Sequence, residues 1–258
     1  MTAADLQRIQ SYLRFAAPRG RDHTKIGPFL ATFNRDTDNP YLNYAIPDTG
    51  AVPSGSDIDS LVNEYRRRDR KPRLEYIPAI APAVEPALLA SAFEVEARTP
   101  LMICRPAPHG RAGKTPAGIE LLVTTRDDDL RDAAAVQWEA YEERGPMPQR
   151  VVDGLRRTVD GGGIVMLARD TETQEPAGAG LCTGPHDEST ELTSVGVRPS
   201  FRRRGIAEAV TRGLAAEAIA RGTGNVFLMA AGEAEARIYE RAGFETVSEV
   251  LHISLTSA

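Results

Sequence analysis

Leu192-Thr-Ser-Val-Gly-Val-Arg-Pro-Ser-Phe-Arg-Arg-Arg-Gly-Ile-Ala207 is the stretch on which the reading of this chain turns. A β-branched strand runs into a basic loop, and an alanine-rich helix, from about Ile206 to Ala220, starts directly after Gly205. Unpaired backbone N–H groups at such a helix start, backed by a dipole of roughly +0.5 charge, cradle an anion of the diphosphate kind. Gly205 permits close backbone approach, and Arg202, Arg203 and Arg204 set permanent positive charge at the rim. Charge-assisted hydrogen bonds are worth about 1.5–3 kcal/mol each, so two or three hold a phosphorylated ligand. The loop is not a nucleotide P-loop, because no Gly-Lys-Ser/Thr follows. Gly178-Ala-Gly180 likewise lacks the third glycine and the helix of a dinucleotide fingerprint.

Outward from this stretch, strands and helices alternate. Ile119 to Thr125 is an apolar run, and Thr124 and Thr125 precede Asp127 to Asp129 as an N-cap-like entry to a helix reaching about Arg144. Gly145-Pro-Met-Pro148 breaks it, a helix follows over Arg150 to Val159, and Ile164 to Ala168 and Ala177 to Cys182 are strands separated by a polar turn. After the alanine-rich helix come a strand over Val226 to Ala230, a helix over Glu233 to Ala242 and strands over Phe244 to Ser254. This order predicts an α/β or α+β architecture.

The first half is a shorter version of the same design. Phe29 to Phe33 and Asn43 to Ile46 are strand-like. Ile58 to Arg68 is a helix, Arg73 to Ile77 a strand, Val84 to Ala92 a helix and Phe93 to Cys104 a strand. Helix, strand, helix, strand repeats the order of Ala207 to Ser254, and sets Phe93-Glu94 opposite Phe244-Glu245 in the two copies. The Pro- and Gly-bearing segment 107–117 then separates an N-terminal lobe, 1–106, from a C-terminal domain, 118–258.

Composition narrows the class. Apolar residues make up 41% of 258 and are spread along the chain, enough for a conventional core. The net charge of −5 divides unevenly: residues 1–117 hold 16 basic and 13 acidic groups, leaving 15 and 23 for the rest. An acidic chain argues against nucleic acid as a partner. The cluster Arg66-Arg67-Arg68 with Arg70, Lys71 and Arg73 fits two readings, a contact for phosphate or an acidic partner and the solvated end of a helix favoured by its dipole. No apolar run nears the roughly 18 residues that cross a bilayer, and residues 1–14 are polar, which predicts a cytoplasmic protein without a membrane partner. Cys104 and Cys182 stand singly in strand-like runs, so a disulfide framework or a cysteine metal site is not expected.

Arg202-x-x-Gly205-x-Ala207 after "SVGV" resembles the acetyl-CoA signature, Gln/Arg-x-x-Gly-x-Gly/Ala, of the GNAT superfamily of N-acetyltransferases. "ARIYERAGF", Ala236 to Phe244, is similar to that family's later helix-and-turn segment, and the resemblance runs from Ile119 to Leu255. It implies a GNAT-like mixed sheet flanked by helices, preceded by a smaller related α+β lobe. It also implies an enzyme that passes the acetyl group of acetyl-CoA, as co-substrate, directly to an amine in a ternary complex. By the same resemblance Val195 and Val197 pair through their backbones with the pantetheine arm, and the amides from Arg203 through Ile206 to Ala207 bind the diphosphate. Gly196 marks the bulge that makes room for the cofactor. Tyr239 is the general acid toward the departing thiolate. Glu191, eleven residues before Arg202, is placed like the carboxylate base of some members; taken alone it is equally a strand-edge acid. His186 and His252 fall outside the family pattern.

Two departures stand out. Many members carry asparagine seven residues before the tyrosine, where this chain has Gly232. The N-terminal lobe has only Pro53-Ser-Gly-Ser56 where the signature would fall, and is read as a degenerate copy that binds no CoA. The acceptor, a small-molecule or peptide amine, is expected between the lobes, with Trp138, Tyr141 and the loop Gly145 to Pro148 as its wall. A different acyl-CoA and a non-catalytic CoA-binding regulatory module are the alternatives.

Overall fold

The structure, a computed structural model, describes residues 3–105 and 115–256, so residues 107–114 of the expected linker lie outside the described residues. In chain order the elements are α1 (Ala3–Ala16), β1 (Asp22–Ile26), β2 (Phe29–Phe33), β3 (Ala45–Pro47), α2 (Gly55–Arg67), β4 (Arg73–Tyr76), α3 (Val84–Ala90) and β5 (Phe93–Cys104). They continue with β6 (Ile119–Val123), α4 (Asp127–Ala140), α5 (Gln149–Asp160), β7 (Ile164–Asp170), β8 (Pro176–Cys182), β9 (Ser189–Val197), α6 (Ile206–Ala220), β10 (Asn225–Met229), α7 (Glu233–Ala242) and β11 (Glu245–Leu255). The fold is α+β, with sheets flanked by helices. Two compact units form, Met1–Leu101 with Val247–Ala258, and Met102–Thr246. They differ from the division at 107–117 in two respects: most of β11 belongs to the first unit, and the end of β5 to the second.

Element boundaries moved where local hydrogen bonds decide them. α2 starts at Gly55, ahead of the expected Ile58, because Ser54 and Asp57 form a reciprocal capping box. β3 begins at Ala45 and not Asn43, since the buried Asn43 amide donates to the carbonyls of Thr37 and Asn39 at 3.0 and 2.8 Å. α4 stops at Ala140, short of Arg144, where Tyr141 caps it and Glu142 takes a positive φ of 56°. Its N-cap is Arg126, with no side-chain cap, in place of the expected threonines; Thr124 instead donates to Asp129 at 3.2 Å.

The first unit orders its strands β1-β2-β3-β4-β11-β5. One face carries an apolar core that includes Phe29, Tyr65, Leu74, Tyr76, Leu251 and Ile253. β11 pairs antiparallel with β4, Leu251 with Tyr76 and Ile253 with Leu74. The pleat therefore sends Arg73, Glu75 and His252 to the opposite face. There the fully buried Arg73 pairs with Glu75 and, at 2.7 Å, with Glu96, which also takes Lys71 at 2.9 Å. Arginine only donates, so the 3.0 Å contact makes His252 Nδ1 an acceptor.

The second unit orders its strands β10-β9-β8-β7-β6; β9 and β10 are parallel and the other pairs antiparallel. Its central strands are apolar on both faces. Ile164, Met166 and Ala168 join the core around α6, while Val165 and Leu167 join the core of α4 and α5. Gly178 and Gly180 serve this packing: a Cβ on either would stand 2.7 Å from Ile206 or 3.0 Å from Leu214.

The two copies match in a local detail. Phe93 and Phe244, each buried, directly follow a residue of positive φ at the end of a helix's cap region, Ala92 at 62°, just past the cap Ser91, and the cap Gly243 at 104°. Alanine is strained there, so Ala92→Gly is expected to raise stability by about 0.5–1 kcal/mol in denaturant titrations. Acid should weaken the first unit. Burial alone would raise the Glu96 pKa, but hydrogen bonds with Ser254, Arg73 and Lys71 bring it down to about 2. Its stabilisation is complete above the ordinary value of 4.5 and is lost as pH falls through about 2. Denaturation midpoints measured downward from about pH 5 should fall accordingly, and Glu96→Gln should flatten that slope.

Candidate cofactor and acyl-transfer site

The site begins where β9 leaves β10. The parallel ladder joins Asn225, Val226 and Phe227 to Ser189, Thr190 and Glu191, and β9 runs on past it through Val197. Against β8, Leu181 pairs with Thr193 and Ala179 with Gly196, so three steps on β9 span two on β8. The extra residue is Ser194, with φ of 56°, and its carbonyl accepts from Gln137 Nε2 at 2.9 Å. The bulge thus falls at Ser194 and not at Gly196. Gly196 answers a different need: a Cβ there would lie 2.8 Å from the Ala140 Cβ at the end of α4. Val195 and Val197, on the other face, pack toward the α6 core.

Past Val197 the chain turns through Pro199–Phe201, with Phe201 buried in that same core. Arg203 and Gly205 both take positive φ, 64° and 77°. Gly205 is the N-cap of α6, no side chain caps the helix, and its carbonyl accepts the first intrahelical bond from Ala209 at 3.0 Å. The amides of Ile206, Ala207 and Glu208 precede that bond and have no partner within the helix. They border a cavity of about 620 Å³. Val195, Gly196, Val197, Arg202, Arg203, Gly205, Ile206 and Ala207 all line it, joined by Ala140 and Tyr141 from the end of α4 and by Glu208, Glu235, Ile238 and Arg241. An uncapped helix start, two positive-φ residues that turn the backbone toward the space, and arginines at its rim fit a diphosphate-bearing ligand.

Arg204 is the exception among the expected cofactor residues. It stands outside the lining, 3.4 Å from Asp170 and stacked over Phe201 at 5.2 Å. Arg202 spans the cavity edge, donating to the carbonyls of Val197 and Ala140 at 3.4 and 3.3 Å. Tyr239 is also outside the lining. Its half-buried ring packs on the core, 6.3 Å from Phe244, and burial pushes its hydroxyl up to about 12, with smaller contributions from Glu235 and Tyr141. Glu191 sits on β9 opposite Phe227, before the bulge and away from the lining. Of the expected acceptor wall, Tyr141 borders the cavity and reaches the Val195 carbonyl at 3.4 Å, whereas Trp138 donates to Gly145 at 3.1 Å. Glu208, Glu235, Ile238 and Arg241 fall at positions that no motif marks, although the i, i+3 spacing of the last three sets them on one face of α7. Among the described residues there is no group of three or more His, Cys, Asp or Glu able to hold a metal, and no helix long and apolar enough to cross a membrane.

Residues 128–244 match the Acetyltransferase (GNAT) family. The matched segment, a little under half of the chain, is thus similar to the GNAT acetyltransferases, a family that uses acyl-CoA. Solved structures share the fold over nearly the whole chain. A GCN5-related N-acetyltransferase from Kribbella flavida is 21% identical, covers 98% of this chain and 96% of its own, and has a TM-score of 0.77. A tandem GNAT protein from the clavulanic acid biosynthesis pathway is 13% identical over 98% and 89%, with a TM-score of 0.68. A GCN5-related N-acetyltransferase from Sphaerobacter thermophilus is 18% identical over 90% and 82%, with a TM-score of 0.64. No curated protein matches the sequence at a significant level.

The contact between Gly196 and Ala140 gives a direct check. Gly196→Ala should cost about 1–3 kcal/mol of stability by overpacking. Adding Ala140→Gly should return most of it; full stability of the single variant in thermal and denaturant unfolding would show that the strand yields freely.

Proposed function

We propose that the C-terminal domain transfers the acetyl group of acetyl-CoA directly to an amine, small-molecule or peptide, within a ternary complex. The observation that carries this reading is the uncapped start of α6, open to the same cavity as the free run of β9. The helix amides with Arg202 and Arg203 would hold the diphosphate, and the backbone of Val195 and Val197 the pantetheine arm. The amine attacks as the neutral base. Its lone pair forms the new C–N bond as the C–S bond breaks, the ammonium proton leaves to Glu191 or water, and the thiolate takes a proton from Tyr239. Cys182 is buried, with its thiol pushed up to about 12 by burial, which disfavours a covalent acyl-cysteine route.

A second reading, a CoA-binding regulator without turnover, draws on Gly232 and on the packing of Tyr239 against the core. Thiol release from acetyl-CoA across an amine panel, with mass spectrometry of the acetylated product, separates the two. Tyr239→Phe should bind acetyl-CoA normally and turn over about 10- to 100-fold more slowly. A Tyr239 hydroxyl held near 12 also predicts no alkaline loss of turnover at about pH 10, where an ordinary tyrosine ionises. Unchanged turnover in the phenylalanine variant removes Tyr239 from the mechanism.

A further inference from the structure

Glu208 lies in the first turn of α6, where a bound diphosphate needs positive charge. A lone carboxylate there would repel the ligand, but two arginines share it. Arg212 Nη1 stands 2.9 Å from Oε1, and Arg241 Nε 3.3 Å from Oε2. The two are not equivalent. Arg212 is mostly buried and outside the cavity lining, whereas Arg241, from the last turn of α7, is exposed and borders the cavity beside Gly205, Ile206 and Ala207. Glu208 engages Arg241 through Nε, which leaves the Nη donors of the guanidinium fork for a ligand. The carboxylate is thereby neutralised and acts as a bracket, with net charge +1 left at the helix start.

We infer that Arg241 is a ligand of the cofactor's phosphoryl groups, held over the start of α6 by Glu208 as its positioning residue. This rests on the proposed use of acetyl-CoA. It explains why an acidic side chain is tolerated at an anion site. It also gives the site a cation delivered by a second helix, so that binding ties α7 to α6.

The test is calorimetric titration of the full chain with acetyl-CoA and with 3′-dephospho-acetyl-CoA. Arg241→Gln should weaken acetyl-CoA binding about 10- to 100-fold, the worth of one charge-assisted hydrogen bond, and should lessen its salt sensitivity. Equal losses with both compounds place the guanidinium on the diphosphate, and a loss confined to the full cofactor places it on the 3′-phosphate; either supports the inference. Glu208→Gln should weaken binding while Arg241 is present, because the bracket is lost. In the Arg241→Gln background it should tighten binding, because an uncompensated carboxylate is removed. Unchanged affinity in Arg241→Gln overturns the assignment, and the same effect of Glu208→Gln in both backgrounds overturns the positioning role. Wild-type protein that binds no acetyl-CoA overturns the underlying reading itself.

Discussion

The extra residue at Ser194 is the constraint from which the rest of the site follows. A strand without it would keep one alternation from Leu192 to Val197, and Gly196 would share a face with Leu192. The insertion inverts that parity, so Val195 and Val197 turn to the α6 core while Gly196 lies against Ala140. A non-glycine residue at positive φ costs on the order of 1–3 kcal/mol and persists only where its surroundings fix it. Here Gln137 does so by donating to the Ser194 carbonyl, which the bulge has taken out of the ladder. The pairing of β9 with β10 ends before the bulge, at Glu191 and Phe227, so the bulged part of β9 has no paired strand on that side among the described residues.

What the strand opens, α6 fills. Phe201 anchors the loop in the core, and Gly178 and Gly180 let the helix lie close to β8, so the position of its first turn is set by packing and not by the loop itself. A rigid helix start with no side-chain cap is preorganised for an anion, because its amides need no rearrangement to meet one. Charge around it is graded: Arg202 and Arg203 border the space, Arg204 is drawn off to Asp170, and Glu208 is neutralised by Arg212 and Arg241. Three consecutive arginines therefore divide between two environments, a distinction that arises from the alternating backbone conformation of the loop.

That distinction shows what a sequence displays and what it hides. Most strands and helices were legible because their apolar residues follow the period of the element, and the helix start at Gly205 because glycine there has a backbone reason. α1 carries a readable apolar spacing, Leu6, Ile9 and Tyr12, but β1 does not: Asp22–Ile26 is polar, half exposed and held by its pairing with β2. The sequence points to the glycine as the bulge because glycine is the usual mark of one, while the residue that takes the strained conformation is a serine with a distant hydrogen-bond partner. Such long-range dependence leaves no local trace. Arg241 and Glu208 are 33 positions apart, and nothing short of the folded α6 and α7 brings them together.

Glu235 illustrates how a departure at one position is met at another. α7 begins at Gly232, in an extended conformation and without a side-chain cap, where many GNAT members carry asparagine. Three residues on, Glu235 reaches back past the N-cap and accepts from the Ala231 amide at 2.9 Å, one residue beyond the amide that a capping box would engage. The carboxylate that steadies the helix start in this way also borders the cavity, and its charge adds to the burial that raises the hydroxyls of Tyr141 and Tyr239. A phenol beside a fixed carboxylate stays protonated because ionisation would set two negative charges close together in a poorly solvated place. In the proposed transfer that is the state required of Tyr239. The substitution at Gly232 thus removes a side-chain contact, while the helix that carries the tyrosine keeps its anchor and the tyrosine keeps its proton.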